Sequence, residues 1–204
     1  MTTGKKVALV VVLVGVAAAL KGAAAILSHG FSAADEPTRV EAAIARRVRH
    51  LATPRSAREL KNPLPPAADV LEEGLAHFAD HCAICHANDG GGYTEIGQGL
   101  YPKAPDMRLP STQQLSDGEL YYIIRNGIRF TGMPAWGGVD NVQEDRDNWA
   151  LVHFIRHLPK LTEAEVAKMK SLNPKSPEEE EGGETEEERR FLEGAASPAP
   201  PHKH

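Results

Sequence analysis

Both cysteines of this 204-residue chain lie three residues apart, and a histidine directly follows the second one. These residues are Cys82, Cys85 and His86, within the stretch FADHCAICHANDGGG. Four chemistries use such a set: a redox disulfide, a zinc site, an iron–sulfur cluster and covalent attachment of haem. They differ in the further ligands and the surrounding structure that they need, so the rest of the sequence can decide among them.

The first three chemistries need partners that the sequence does not supply. A redox Cys-x-x-Cys pair is typical of a βαβ setting, and no such pattern is present. Zinc needs two more ligands. The spaced pair His153 and His157 comes too late, because 67 residues separate His153 from Cys85 and zinc fingers have a gap of about 12–15. An iron–sulfur cluster needs four cysteines.

Covalent haem fits the pattern without further partners. Two thiols at positions i and i+3 of one helix face can each add to a vinyl group of the same porphyrin. The imidazole of the next residue then lies under the iron. The sequence therefore predicts one covalently bound haem c, tethered by Cys82 and Cys85, with His86 as an iron ligand.

Methionine is the natural candidate for the second iron ligand, because a thioether opposite a histidine raises the reduction potential and closes the iron to other ligands. Met133 lies 47 residues after His86 in the loop TGMPAWGG, where Pro134 can hold the side chain rigidly. We predict Met133 as this ligand. Met107 is the lesser candidate, with packing near the haem edge as its other role. Met169 lies in a polar helix near the tail.

Apolar residues at helical spacing predict four helices after residue 67. A first helix begins near Ala68 and runs to the cysteine motif. The second, in LSDGELYYIIRNGI, is capped by Ser116 or Asp117 and ended by Gly127. The third and fourth are RDNWALVHFIRHL and TEAEVAKMKSL. No alternating strand pattern is present, so the predicted fold class is all-α.

The sequence before residue 67 divides into two parts. Residues 1–34 contain an apolar run, Val7 to Leu27, that is either a signal peptide or a membrane anchor, and its length slightly favours an uncleaved anchor. Residues 35–66 form a basic helical arm and a Pro-rich linker. The arm has an apolar stripe, which either packs on the body or lies on the membrane surface. The stripe consists of Val40, Ile44, Val48 and Leu51.

Charge is distributed unevenly along the chain. Residues 1–65 carry ten Lys or Arg and four Asp or Glu, residues 66–173 carry nine and fifteen, and residues 174–204 carry four and nine. Residues 67–173 are the predicted haem domain, and 174–204 a disordered acidic tail. The basic arm is not interleaved with aromatic residues and belongs to no nucleic-acid module, so no nucleic-acid partner is expected.

The stretch from about Val70 to Leu158 resembles a class I, single-haem c-type cytochrome. The matching pieces are GLAHFADHCAICH, LSDGELYYIIRNGI, GMPAW and WALVHFIRHL. The resemblance implies a small all-α fold around one haem, in which Gly74 and Phe78 of the first helix meet Phe154 of the last. It also implies that a proline carbonyl, of Pro102 or Pro105, holds the other nitrogen of His86. Many members have glycine where this chain has Ala87.

The predicted function is electron transfer by a periplasmic cytochrome and not enzymatic catalysis. The expected partners are redox proteins, among them membrane respiratory complexes, and the membrane itself if the N-terminal segment is retained. The expected location is the periplasmic side of the inner membrane, or the soluble periplasm after cleavage. The alternatives are a haem enzyme or gas sensor with an open iron site, a cytochrome subunit of a larger oxidoreductase, and a metal-handling protein that uses His77/His81, His153/His157 and the terminal histidines.

Overall fold

The computed structural model describes residues 3–30, 32–137 and 142–175. Within these ranges the chain forms helices and no strands, which agrees with the predicted all-α class. The predicted acidic tail lies almost wholly outside the described residues. The helices are α1 (Thr3–His29), α2 (Arg39–Ala52), α3 (Arg55–Arg58), α4 (Ala68–His77), α5 (Ala83–His86), α6 (Glu95–Gly99), α7 (Pro110–Gln113), α8 (Asp117–Asn126), α9 (Val142–His157) and α10 (Glu163–Leu172).

The core is built on the crossing of α4 and α9. Gly74 of α4 lies against the backbone of α9, since a Cβ atom there would be 2.3 Å from the carbonyl oxygen of Ala150. The rings of Phe78 and Phe154 meet beside this point, with their centroids 5.0 Å apart. The contact is the one that the family resemblance implies, and both rings are fully buried. Absence of a side chain at Gly74 thus sets how closely the two helices approach.

We predict that Gly74→Ala lowers the free energy of unfolding by about 2 kcal/mol, because the new methyl group must push the α9 backbone away. Gly99→Ala is the matched control, since a Cβ atom at Gly99 meets nothing within 4 Å. Urea denaturation of the haem-loaded protein measures both. Equal stability of the two variants would show that the crossing can widen at no cost.

Helix α8 begins and ends where the sequence indicates. The Ser116 side chain accepts a hydrogen bond from the Glu119 backbone, and the Glu119 carboxylate accepts one from the Ser116 backbone. Gly127, with φ of 64°, ends the helix. On the side facing α9, Tyr121 stacks on Trp149 with ring centroids 4.0 Å apart. Helix α8 is therefore fixed both at its ends and along its length.

Helix α2 packs on the body through its polar side. Its apolar stripe faces away from the body, although packing of the stripe on the body was one of the two predicted arrangements. The ring of His50 joins α2 to α8: its Nδ1 lies 2.8 Å from Oε1 of Glu119, and its Nε2 lies 2.8 Å from a guanidinium nitrogen of Arg58. Arginine has only donors, so Nε2 accepts and Nδ1–H donates to Glu119. The Ser116 hydroxyl donates to the Arg58 carbonyl at 2.8 Å. The predicted linker also contains the short helix α3, which the prolines around it did not suggest.

Glu119 makes this attachment dependent on pH. Burial raises the pKa of its carboxyl group, but hydrogen bonds from the Ser116 backbone and from His50 outweigh burial, so the pKa lies below the ordinary value of 4.5. A carboxyl group whose pKa is lower in the folded protein stabilises the fold at pH values above 4.5. That contribution is lost as the pH falls through the folded-state value.

We therefore expect the free energy of unfolding of Glu119→Gln to be about 1–2 kcal/mol below that of the wild type at neutral pH. The difference should shrink as the pH is lowered below 4.5. Glu95→Gln, at an exposed position, should keep the wild-type pH profile. Denaturation curves at several pH values check this, and a difference that stays constant with pH would contradict it.

Helix α1 is long and apolar enough to cross a membrane. The segment Thr3–Ala25 has a mean hydropathy of 2.4, and none of it is buried against the rest of the protein. A cleavable signal sequence has the same properties, so both forms of the N-terminal prediction are compatible with this helix.

Candidate haem-attachment site

The cysteine motif follows a local change of helix type. After α4, residues Phe78–Cys82 form a π-helical turn, in which the Ala83 N–H donates to the Phe78 carbonyl. Such a turn contains one residue more than an α-helical turn, and such turns are frequent at functional sites. Phe78 and Ala79 remain buried in the core. The turn therefore changes the direction in which the residues of α5 point relative to the face of α4 that packs on α9.

The two thiols are both free, and neither is activated. Cys82 and Cys85 form no disulfide. Burial raises the pKa of the Cys82 thiol to about 12, and the neighbouring Cys85 acts in the same direction. Burial also raises the pKa of Cys85. Redox and nucleophilic cysteines need lowered pKa values, so this pair does not have the electrostatic setting of a thiol–disulfide catalyst.

The imidazole of His86 has one nitrogen that is buried without a partner. No hydrogen bond of ordinary geometry reaches its Nδ1 within the described part of the chain. Burial lowers the pKa of His86, and the backbone carbonyl of Pro105 acts against this effect. Of the two candidate prolines, Pro102 and Pro105, the second is therefore the one close to His86. The Pro105 carbonyl is thus the backbone acceptor beside this imidazole.

Glycines bring the Pro105 segment to the histidine. The N–H of Gly92 donates to the His86 carbonyl at 2.8 Å, and the N–H of Met107 donates to the Gly90 carbonyl at the same distance. A Cβ atom at Gly92, which has φ of 76°, would lie 2.3 Å from the Ala104 carbonyl oxygen. Only glycine permits both this conformation and this approach. The loop following the motif is thus a scaffold for Pro105.

Ala87 has a backbone conformation that favours glycine. Its φ is 59° and its ψ is 157°, a region that residues with a side chain rarely adopt. The position is the one at which the sequence departs from the glycine of many c-type cytochromes. The chain thus keeps the turn after His86 in spite of the added methyl group.

We expect Ala87→Gly to raise the free energy of unfolding by about 1 kcal/mol, because relief of the strained backbone outweighs the entropy that glycine adds to the unfolded chain. The same substitution at Ala83, a buried helical position with φ of −62°, should lower it by about 1 kcal/mol or more. Thermal denaturation of the haem-loaded variants gives both signs. Destabilisation by Ala87→Gly would mean that the turn relaxes in the haem-loaded protein.

The loop that carries Met133 is bound to the end of α8. The backbone N–H of Met133 donates to the Thr131 hydroxyl, and the Met133 carbonyl accepts from Ile128, both at 3.1 Å. Trp136 donates its backbone N–H to the Ile124 carbonyl at 3.0 Å. A Cβ atom at Gly127 would lie 2.7 Å from the Met133 carbonyl oxygen. The position of Met133, which is half-buried, is therefore determined by hydrogen bonds of its backbone.

Trp136 connects this loop to the cysteine motif. Its ring meets the ring of His81, directly before Cys82, edge to face with centroids 5.2 Å apart. His81 in turn stacks on His77 at 4.7 Å. Trp136 packs on the edge of the hydrophobic core. Ring contacts thus join the segment before Cys82 to the segment that carries Met133.

The other two methionines are core residues. Met107 is buried in the main hydrophobic cluster, and Met169 is completely buried in the same cluster. Met107 thus has the packing position that the sequence offers as its other role. The sequence of α10 is polar and did not predict that Met169 is buried. One buried residue in a helix produces no hydrophobic periodicity that a sequence could show.

The histidine pairs do not assemble into a metal site. Nε2 of His153 lies 3.0 Å from the Leu64 carbonyl, and Nε2 of His157 lies 2.8 Å from Glu165. Among the described residues, no three His, Cys, Asp or Glu side chains are grouped so as to hold a metal ion. The terminal histidines lie outside the described residues. The helical pairs thus serve structural contacts.

Two residues near Met133 were not anticipated from the sequence. Thr131 holds the Met133 backbone through its hydroxyl. Phe130 has φ of 62° and is 93% exposed. Both properties are unusual for phenylalanine. No sequence pattern predicts the hydrogen bond of Thr131 or the backbone conformation of Phe130, because both depend on the path of the loop.

Comparison with protein families supports the chemistry of these residues. Residues 69–155 match the family described as cytochrome c oxidase, cbb3-type, subunit III. This segment resembles a c-type cytochrome domain. It spans α4 to most of α9 and includes Cys82, Cys85, His86 and Met133. The match covers a little under half of the chain, and it implies covalently bound haem c and electron transfer.

Proposed function

We propose that this chain is a single-haem c-type cytochrome of class I that carries one electron at a time between redox partners outside the cytoplasm. The observation that carries the proposal is the Pro105 carbonyl beside the His86 imidazole, whose buried Nδ1 makes no hydrogen bond to another residue of the described chain. That arrangement fits an imidazole whose Nε2 binds a metal, because ligating histidines usually donate their other N–H to a fixed acceptor. The chain contains one Cys-x-x-Cys-His motif, so one haem is expected.

Haem c would supply a one-electron ferric–ferrous couple at this site. Cys82 and Cys85 would tether it through thioether bonds. His86 and Met133 would be the protein ligands of the iron. Pro105 would orient the His86 ring, and Thr131 and the end of α8 would hold the Met133 backbone. No residue of the described chain needs to exchange protons for this function.

The location and the partners are parts of the same proposal. Attachment of haem to Cys-x-x-Cys-His agrees with an extracytoplasmic haem domain, and α1 provides the signal or anchor that such a location requires. The excess of acidic residues over residues 66–173 would steer the domain toward a basic partner surface. Expected partners are redox proteins, including membrane respiratory complexes.

A second candidate is a cytochrome subunit within a larger oxidoreductase. The description of the matching family favours it, because that description names an oxidase subunit. Both candidates need the same site and differ in whether the partner is permanent. Purification from native membranes in mild detergent separates them, since a subunit stays with a larger complex and a carrier does not.

Met133→Ala tests the iron ligation. The wild-type ferric protein should show the far-red sulfur-to-iron charge-transfer band that accompanies His/Met ligation, and the variant should lose it while its haem remains covalent in a pyridine haemochrome assay. Met107→Leu is the matched control and should keep the band. Loss of the band in Met107→Leu would make Met107 the ligand. A wild-type spectrum without the band would favour an enzyme or sensor with an open iron site.

A further inference from the structure

The apolar side of α2 is exposed. Val40, Ile44, Val48 and Leu51 are between 57 and 69% exposed, although they lie on one side of an amphipathic helix. Four large apolar side chains in a row along a helix are not an ordinary soluble surface. We call these four residues the α2 stripe.

The opposite side of the helix explains why the stripe points outward. Arg49 and His50 are half-buried, and Thr53 just after the helix is buried. His50 is bound to Glu119 of α8 and to Arg58 of α3. These polar contacts fix the rotation of α2 about its own axis. The stripe therefore cannot turn toward the body without breaking them.

The place of α2 in the chain indicates what covers the stripe. Helix α1, the segment able to cross a membrane, ends at His29, and α2 begins at Arg39. The nine residues between them reach about 30 Å at most when fully extended. Helix α2 is about 21 Å long. A retained α1 therefore keeps the whole stripe within reach of the headgroup layer.

Charge on α2 agrees with a lipid surface. Arg47 is exposed and lies beside the α2 stripe, whereas Arg39 and Arg46 lie on the other side of the helix at the 100° spacing of α-helical residues. Helices that lie in the membrane interface combine apolar side chains, which enter the acyl boundary, with basic side chains that contact lipid phosphates. Arginines near an anionic surface strengthen binding further through electrostatic attraction to the headgroups.

We propose that α2 lies in the membrane interface, with the α2 stripe in the lipid and anionic headgroups around Arg47. Because α2 is bound to α8 through His50 and Glu119, the body is then held in one orientation relative to the membrane. The stripe is a membrane-binding surface in addition to α1. The inference does not depend on haem.

Photo-crosslinking of the full chain in vesicles of zwitterionic and anionic phospholipids tests the proposal. The photoreactive residue p-benzoylphenylalanine replaces Ile44 in one variant and Arg46, an exposed residue on the other side of α2, in the matched control. Mass spectrometry then measures the fraction of chain that carries a lipid adduct. Ile44 is exposed, so its replacement removes no packed contact.

The expected result is a lipid adduct several-fold more abundant from position 44 than from position 46. Combining the position-44 probe with Val40→Gln and Val48→Gln should reduce this adduct several-fold, although α1 still holds the chain on the vesicle. Equal adducts from positions 44 and 46, or crosslinks from position 44 to a second protein chain in their place, would overturn the proposal. Haem content measured on the same samples reports on the proposed function separately.

Discussion

Gly74 lies so close to the backbone of α9 that the Ala150 carbonyl would be 2.3 Å from a Cβ atom at that position. The rest of the helix packing depends on this approach. It lets Phe78 and Phe154 meet in the core, and it places Trp149 where Tyr121 of α8 can stack on it. Helix α8 is then fixed, and with it the loop that carries Met133. The missing side chain of Gly74 thus contributes to the position of Met133.

Much of this arrangement could be predicted from the sequence, because it depends on local patterns. The apolar periods of α4, α8 and α9, the Ser116 cap and the Gly127 end are each determined within a few residues. The motif Cys82, Cys85 and His86 is equally local. The choice of Pro105 over Pro102 was not accessible in this way, because it depends on hydrogen bonds and close approaches that Gly90 and Gly92 make with residues more than ten positions away.

Helix α2 shows a different limit of sequence patterns. Its period correctly indicated an amphipathic helix, and the arm does pack on the body. Hydrophobic periodicity shows that one side of a helix is apolar, but not which side packs against the protein. In α2 the packing side is determined by polar contacts of His50 and Glu119, which come from distant parts of the chain. His50 thus joins α2 to both α3 and α8, with one ring nitrogen accepting and the other donating.

The π-helical turn at Phe78–Cys82 separates the packing of α4 on α9 from the orientation of the cysteine motif. In a continuous α-helix, the two would be coupled. Before the turn, side chains must fit the close contact with α9, and after it they must suit the attachment site. An inserted residue rotates one set relative to the other by about 100°. Substitutions that refine the helix crossing and substitutions that refine the attachment site can therefore accumulate independently, although both lie on nearly one helix. A single helical turn thus separates the residues that determine the helix crossing from those that determine the attachment site.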